Sequence, residues 1–435
     1  MTAQTKVAII LPVFYKGGTL RAAKKLAKLI KKQSVLHHHP IEVVLCFVPD
    51  KYEVLEDFHD LIDWNIQLRE IFWDVMSTSQ IYASDSLTLF LKHNGIKLDS
   101  PKYLVPRDGF NDLLDVDLWI IISDRLSAPV IPLRKVVLFI FDYIQRYVPD
   151  IFSRDVVAFT SKNFEYILSA RRASHVFVTT QATKQDAISF AGLPTSKVTL
   201  IGDLNFDYVP ETILINGFDE ERSSWRFSPI TQPFFMWPTN VNFHKNISRA
   251  LDALIYYYTE QRGKFTTIIT GANTEYLDPY KVKANDQIDL LKIPHIDKFR
   301  KVLSNKYYRK RIKVLGDVPD SNFFQLILSC KFVWNPTLYD NGTYSVIEAA
   351  LLGKPSLSAL YPATEYWNNK LNLNLVFFNP YDKKQMASSL KWMEENCASV
   401  VINQSIRQEI IEQQNKAEFE IYQKIISFLP NYSCS

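Results

Sequence analysis

The sequence predicts an α/β protein of two domains, each a parallel sheet with crossover helices. Three observations lead there. Short runs rich in β-branched and aromatic residues alternate with helical patterns throughout the chain, as parallel strands and their connections do. The runs fall into two groups, separated by Asp203–Gln232, a stretch poor in strand signals that holds Gly217 and several acids. The length, 435 residues, supplies two or three domains with sizeable cores. The division expected is a first domain over 1–205, a second over 206–403 and a C-terminal segment over 404–435.

In the first domain the strand candidates are Val7–Val13, Glu42–Phe47, Leu118–Ser123, Val136–Phe141, His175–Thr179 and Val198–Ile201. In the second they are Phe234–Trp237, Thr266–Thr270, Ile312–Leu315, Lys331–Trp334, Pro355–Ser358 and Val376–Phe378. Between them apolar residues recur with the helical period. Over Asn246–Glu260, for example, Ile247, Ala250, Leu251, Leu254 and Tyr258 share a face. The last long helix candidate is Asn403–Phe428. No internal repeat or low-complexity tract is visible.

Composition narrows the class. Hydrophobic content of 47% with 22% charged residues describes a soluble globular chain. No apolar run approaches the ~18–20 residues of a membrane span. Val7–Phe14 is too short for a signal-peptide core with its cleavage site and reads as a first strand. Cys46, Cys330, Cys397 and Cys434 lie far apart with no CxxC spacing, which fits free thiols in a reducing cytoplasm rather than a zinc site. A net charge of +4 gives no indication of nucleic acid. Aromatics make up 13% of the chain, for which core packing is the default account.

The most informative stretch is Asn335–Pro355, NPTLYDNGTYSVIEAALLGKP. A strand feeds a Pro-containing turn and the polar loop Asp340-Asn341-Gly342-Thr343. A helix over Tyr344–Leu352 follows, stopped by Gly353 and Pro355. Such a loop aims free N–H groups and the positive end of a helix dipole at one point, which suits a diphosphate. Asp340 and Glu348 frame it. A carboxylate beside a diphosphate repels it, so these two are suited to accept hydrogen bonds from hydroxyls, a ribose on one side and a sugar on the other.

At these residues the chain resembles the retaining GT-B glycosyltransferases of the large group-one family (family four), whose signature is roughly P-S-x-x-E-G-F-G-L-P-x-x-E-A. Here Pro336 to Ala349 keep the spacing of the two acids. The first Glu has become Asp340, one methylene shorter, and the central Gly-Phe-Gly has become Asn341-Gly342-Thr343. The resemblance implies that Glu348 binds ribose hydroxyls and Asp340 a hydroxyl of the donor sugar. The amides of Asn341, Gly342, Thr343, Tyr344 and Ser345 would hold the diphosphate or the sugar. Pro238–Asn246 resembles the family's G-R-x-x-x-x-K-N turn. Lys245 falls on the lysine that neutralises the leaving diphosphate, and Asn240 on the usual arginine. Asn246 beside it suits a helix cap.

Three more stretches extend the resemblance. Gly17 and Gly18, after the first strand, look like the family's glycine loop. Asp142, at the end of a later strand, matches an acid that would orient or help deprotonate the acceptor hydroxyl; a helix cap or a partner for Arg146 are equal alternatives. Gly316-Asp317-Val318 resembles the loop whose backbone reads the nucleotide base, so Gly316 and Val318 join the donor set. Ala173–Gln181, with His175, Lys184 and Asp186, matches a strand-to-helix passage read as architecture. The family pattern finds no counterpart over Lys51–Arg107.

The resemblance implies a GT-B fold, two facing Rossmann-like domains with a cleft between them and a C-terminal helix returning to the first. It implies a retaining hexosyltransferase that moves a hexose from a nucleotide-diphosphate sugar to a glycan or lipid-linked saccharide, as in bacterial surface polysaccharide assembly. No metal or other cofactor is expected. Asp115-Val116-Asp117 spells a metal-binding DxD, and His37-His38-His39 resembles a metal ligand run, but the first is common by chance and the second sits in a loop. Arg21, Lys24, Lys25, Lys28, Lys31 and Lys32 give the helix Thr19–Lys32 a basic face without acids, opposite Leu20, Ala23, Ala27 and Ile30. That face would sit on anionic lipid at the inner side of a membrane, or simply be solvated. Two other classes stay open: a nucleotide-sugar 2-epimerase of the same fold, and a non-catalytic nucleotide-sugar-binding subunit.

Overall fold

The computed structural model describes residues 5–15, 18–49, 54–109, 112–123, 125–149, 156–201, 232–282, 289–340 and 344–429. The chain divides into two compact units, Met1–Asn205 with Glu412–Ser435, and Phe206–Ile411. The interval Asp203–Gln232 lies outside the described residues except for Gln232.

The first unit contains β1 (Thr5–Leu11), β2 (Ile41–Phe47), β3 (Gln67–Glu70), β4 (Phe72–Ser77), β5 (Lys102–Arg107), β6 (Leu118–Ile122), β7 (Lys135–Ile140), β8 (His175–Val178) and β9 (Val198–Leu200). Seven of these form a parallel sheet in the order β3-β2-β1-β6-β7-β8-β9. The central strands are continuous apolar runs because both faces are covered. Val7, Ile9 and Leu11, with Val43, Leu45, Leu118 and Ile120, enter one cluster with the helix Gly18–Leu36. Ala8, Ile10, Val44, Cys46, Trp119 and Ile121 enter the opposite one. The alternation within each strand is the two-residue period of the pleat.

Within the stretch without a counterpart in the family pattern, β3 joins the parallel sheet and β4 pairs with β5 as an antiparallel hairpin enclosing the helices Thr78–Tyr82 and Asp85–His93. Ser77 and Gln80 form a capping box that starts the first of these helices. Ile71, Ile81, Leu87, Leu91, Tyr103 and Val105 fasten the insertion onto the first unit's core. In the C-terminal helix Ile406–Ile426, Ile421, Tyr422, Ile425 and Ile426 join the core of the first unit, as does Leu429 beyond it.

The basic helix differs from its expectation. Asp60 pairs with Lys24 at 2.5 Å and Lys28 at 2.7 Å, and Glu418 pairs with Lys32 at 2.8 Å. Lys24 also donates to the Asp57 carbonyl. These pairs tie three of the six cations of the helix to neighbouring elements of the first unit. The DxD acids are likewise engaged. Asp117 accepts from the Lys6 amide, and Asp115 accepts two hydrogen bonds from Arg69, which hold its carboxyl down at about 2. His37 packs its ring on Phe419 and Tyr422. No group of three His, Cys, Asp or Glu among the described residues is placed to hold a metal, and no helix among them is long and apolar enough to cross a membrane. Cys46 and Cys330 are buried free thiols, which burial pushes up in pKa; Cys434 lies outside the described residues.

The second unit is a parallel sheet of β10 (Phe234–Pro238), β11 (Thr266–Thr270), β12 (Ile312–Gly316), β13 (Val333–Asn335), β14 (Ser356–Ala359) and β15 (Val376–Phe378), in the order β12-β11-β10-β13-β14-β15. The order reverses between β10 and β13, the kind of position where open α/β sheets bind ligands outside the carboxyl ends of their strands. In the helix Ile247–Thr259 all five residues expected on one face are buried. Aromatics fill this core: Trp237 and Trp334 lie 5.0 Å apart, and Phe235 stacks on Phe332 at 5.0 Å.

Candidate functional site

The site grows from the two central strands of the second unit. After β10 the chain makes a short turn, Phe243–Lys245, and enters the helix Ile247–Thr259. After β13 it runs through Pro336–Asp340, and the helix Tyr344–Leu351 begins a few residues later. The Leu338 amide donates to the His244 carbonyl at 2.8 Å. Asn246 takes a left-handed conformation, φ 61°. Its Nδ2 donates to the carbonyls of Pro336 at 3.0 Å and Pro380 at 2.8 Å. Asn246 stands at the N-cap of the helix Ile247–Thr259, as the sequence suggested, but its side chain makes no cap bond and ties three loops at the carboxyl edge of one sheet.

These ties bring Lys245 and Asp340 together. Their side chains form an ion pair, the lysine 15% exposed and the aspartate 31%. Glu348 lies in the following helix and is buried, 5% exposed. Tyr344 and Ser345 begin that helix and are half-buried. Gly353 closes it with φ 69°, the left-handed stop its sequence position called for. Asn341, Gly342 and Thr343 lie outside the described residues, as does Gly17.

The loop before Asp340 rests on a buried polar network. Asn335 Nδ2 donates to Ser358 Oγ at 3.1 Å and to the Tyr361 hydroxyl at 3.2 Å, and Asn335 Oδ1 accepts from Thr337 at 2.7 Å. The ring of Tyr339 packs on that of Tyr361, 5.6 Å between centroids. None of these residues was singled out from sequence, because small polar residues at strand ends look like ordinary turn formers.

Asn240 sits in the turn after β10, where its Oδ1 accepts from the Asn242 amide at 2.9 Å, a local turn bond. Gly316 ends β12 with φ 88°, and Val318 follows, half-buried, before the helix Asp320–Ser329. The ends of β11 and β12 are stitched together: the Gly316 carbonyl accepts from Thr270 Oγ1 at 2.7 Å and from the Gly271 amide at 2.9 Å. Gly271 in turn packs on the Thr239 carbonyl that opens the lysine turn.

Asp142 and Gly18 belong to the first unit. Gly18 is the first residue of its helix. Asp142 accepts from the Ile144 amide at 3.0 Å and so begins the one-turn helix Ile144–Tyr147. Arg146, one of the partners considered for Asp142, pairs with the buried Asp186 at 2.5 Å; burial pushes the Asp186 carboxyl up.

A phosphate-sized anion at the Lys245–Asp340 corner would meet an ammonium on a turn anchored by backbone and amide bonds. The Asp340 carboxylate stands at it as an acceptor for hydroxyls, and Glu348 is buried in the helix that follows. That is chemistry suited to a nucleotide sugar.

No protein-family model matches the chain, and no curated protein sequence matches it significantly. Solved structures do. HepE of Anabaena, in complex with UDP and glucose, aligns with a TM-score of 0.60 at 15% identity, covering 98% of this chain and 99% of that one. Sucrose-phosphate synthase from Thermosynechococcus elongatus aligns at 0.61 with 10% identity, covering 98% and 99%. WaaG, a glycosyltransferase involved in lipopolysaccharide biosynthesis, aligns at 0.54 with 13% identity, covering 98% and 100%. At these identities the likeness is one of fold, and the fold is GT-B: two Rossmann-like units built on parallel sheets of seven and six strands.

Proposed function

We propose that this chain is a glycosyltransferase that moves a hexose from a nucleotide-diphosphate sugar to a saccharide acceptor, with retention at the anomeric carbon and without a metal. The observation that carries the proposal is the Lys245–Asp340 pair at the carboxyl edge of the second sheet, with Glu348 buried in the helix that follows Asp340. Structural neighbours solved with UDP and with UDP-glucose support a nucleotide-sugar donor. Lys245 would neutralise charge that grows on the leaving diphosphate. Asp340 would accept a hydroxyl of the sugar and Glu348 the ribose hydroxyls. The leaving diphosphate itself would help deprotonate the incoming hydroxyl, so no protein nucleophile is needed; Asp142 would orient that hydroxyl.

A glycan or lipid-linked acceptor of the surface-polysaccharide kind is the acceptor class we favour, with neighbours from lipopolysaccharide biosynthesis in support. A site of action at the inner face of a membrane is part of the same proposal. The acid partners of Lys24, Lys28 and Lys32 leave the basic helix a weaker case for lipid docking than its composition made.

Release of nucleoside diphosphate, followed in the presence and absence of saccharide acceptors and with EDTA, tests the proposal. Release that requires acceptor and survives EDTA supports it. Turnover of the donor without acceptor indicates an epimerase or hydrolase, and stabilisation by nucleotide without turnover indicates a binding subunit. A nucleoside diphosphate at ~100 times its dissociation constant adds about 2.7 kcal/mol, which a thermal melt detects.

Glu348→Gln is expected to weaken donor binding about tenfold, because a carboxylate accepting two hydroxyls makes charge-assisted bonds and the amide turns one acceptor into a donor. Calorimetric titration of parent and variant with the nucleoside diphosphate measures it. Equal affinities would remove Glu348 from the site.

A further inference from the structure

Glu275 has no part in the site described so far. It lies on the short turn Thr274–Leu277 directly after β11, at the same carboxyl edge as Lys245 and Asp340. The residue is partly exposed, yet its Oε2 is buried and has no hydrogen-bond partner among the described residues. It rests on Gly316, the last residue of β12: a Cβ added there would lie 3.5 Å from Glu275 Cβ and 3.6 Å from Oε2. A carboxylate oxygen removed from water without a donor is costly, which marks this as a place where a donor belongs. The last torsion of a glutamate is soft, so the oxygen can turn outward to meet one.

The main-chain carbonyl beside it is already engaged. The Gly316 carbonyl already accepts from Thr270 Oγ1 at 2.7 Å and from the Gly271 amide at 2.9 Å, which occupies both lone pairs. From β13 to β12 along the sheet edge are three strand intervals of about 4.8 Å, roughly 14 Å in all. A nucleotide held by its phosphates beside Lys245 would extend its base along that edge. In the other direction the edge is filled by the buried rings of Tyr339 and Tyr361.

Resting on the donor-site proposal above, we infer that Glu275 selects the nucleobase of the donor and that the base it selects is guanine. A carboxylate pairs with two adjacent N–H donors, which guanine presents at N1 and its exocyclic amine. Uracil presents a single N–H between two carbonyl oxygens that repel the carboxylate. Adenine and cytosine present an amine beside a ring-nitrogen acceptor.

Calorimetric titration of the parent chain and Glu275→Gln with GDP, UDP, ADP and CDP tests this. The parent is expected to bind GDP about tenfold or more tighter than UDP, and the variant to lose that margin while keeping its affinity for UDP. A parent that binds UDP as tightly as GDP, or a variant with an unchanged GDP-to-UDP ratio, overturns the role of Glu275 and leaves the donor site standing; a bridging structural water on Oε2 is then its explanation. Binding of none of the four nucleotides overturns the donor-site proposal and this inference with it.

Discussion

Lys245→Ala is expected to lower the turnover number by about 10²–10³, with a much smaller change in the Michaelis constant for the donor. The reason is where the charge grows. A diphosphate already attracts the ammonium in the ground state, but it gains charge as the glycosidic bond breaks, so the lysine acts most strongly on the transition state. The structure supplies the preorganisation this needs. Lys245 closes a turn whose carbonyl at His244 is held by the Leu338 amide, and whose next residue, Asn246, is bonded to Pro336 and Pro380. Asn240 stands where the pattern the turn resembles has a second cation, so on the proposed function more of the neutralisation would fall to Lys245. Lys245→Arg is expected to restore little, since a planar fork does not replace a compact ammonium. Removing the lysine also leaves Asp340 without its ion-pair partner, so Lys245→Ala with Asp340→Asn is the control. If the double variant regains the parent's turnover, the loss came from the unpaired carboxylate. Steady-state kinetics on the three variants make the distinction, and a defect confined to the Michaelis constant would assign Lys245 to ground-state binding instead.

Every strand expected from the sequence is present, with ends displaced by a few residues, because both sheets are covered on both faces. β6 is apolar without interruption, β11 is buried at every residue and β1 at every residue but Lys6, so they have no solvent face to blur the signal. Sequence reasoning missed three strands: β3 reads Gln-Leu-Arg-Glu and β4 exposes Phe72, Asp74 and Val75, whereas β5 is buried from Tyr103 to Pro106 but carries a proline that demotes a strand reading. The stretch around Asp340 stood out in the sequence because glycine, proline and two acids punctuate it at fixed spacing. Its supports did not. Asn246 reaches carbonyls 90 and 134 residues away, and Lys32 finds its acid 386 residues away. Local pattern carries no information about partners at such separations. For that reason the acid partners of the basic helix and the carbonyl partners of Asn246 were not foreseen. Glu275 escaped notice because an acid in a turn is ordinary until its oxygen is found buried without a donor.

Gly271→Ala is expected to destabilise the second unit by about 3 kcal/mol or more and to abolish donor binding with it. Gly271 has φ 128°, a conformation almost closed to residues with a side chain. A Cβ built there would lie 2.0 Å from the Thr239 carbonyl oxygen, a main-chain atom that cannot swing aside like a flexible side chain. Thr239 is not free to retreat. Its amide donates to the Thr270 carbonyl at 2.9 Å, and it opens the turn that presents Lys245. Relief of the clash therefore has to move the β10 turn away from the end of β11, and the ammonium moves with the turn. Gly353→Ala is the matched comparison. Gly353 also has positive φ, 69°, but nothing lies within 4 Å of its added Cβ, so it bears only the left-handed penalty of roughly 1–2 kcal/mol. Thermal melts of the two variants, each with and without nucleoside diphosphate, separate the effects. Gly353→Ala should melt moderately early and still be stabilised by nucleotide, whereas Gly271→Ala should melt much earlier and gain nothing from it. Equal melting shifts for the two would mean that the main chains of β10 and β11 have room to part, and that Lys245 does not depend on their contact.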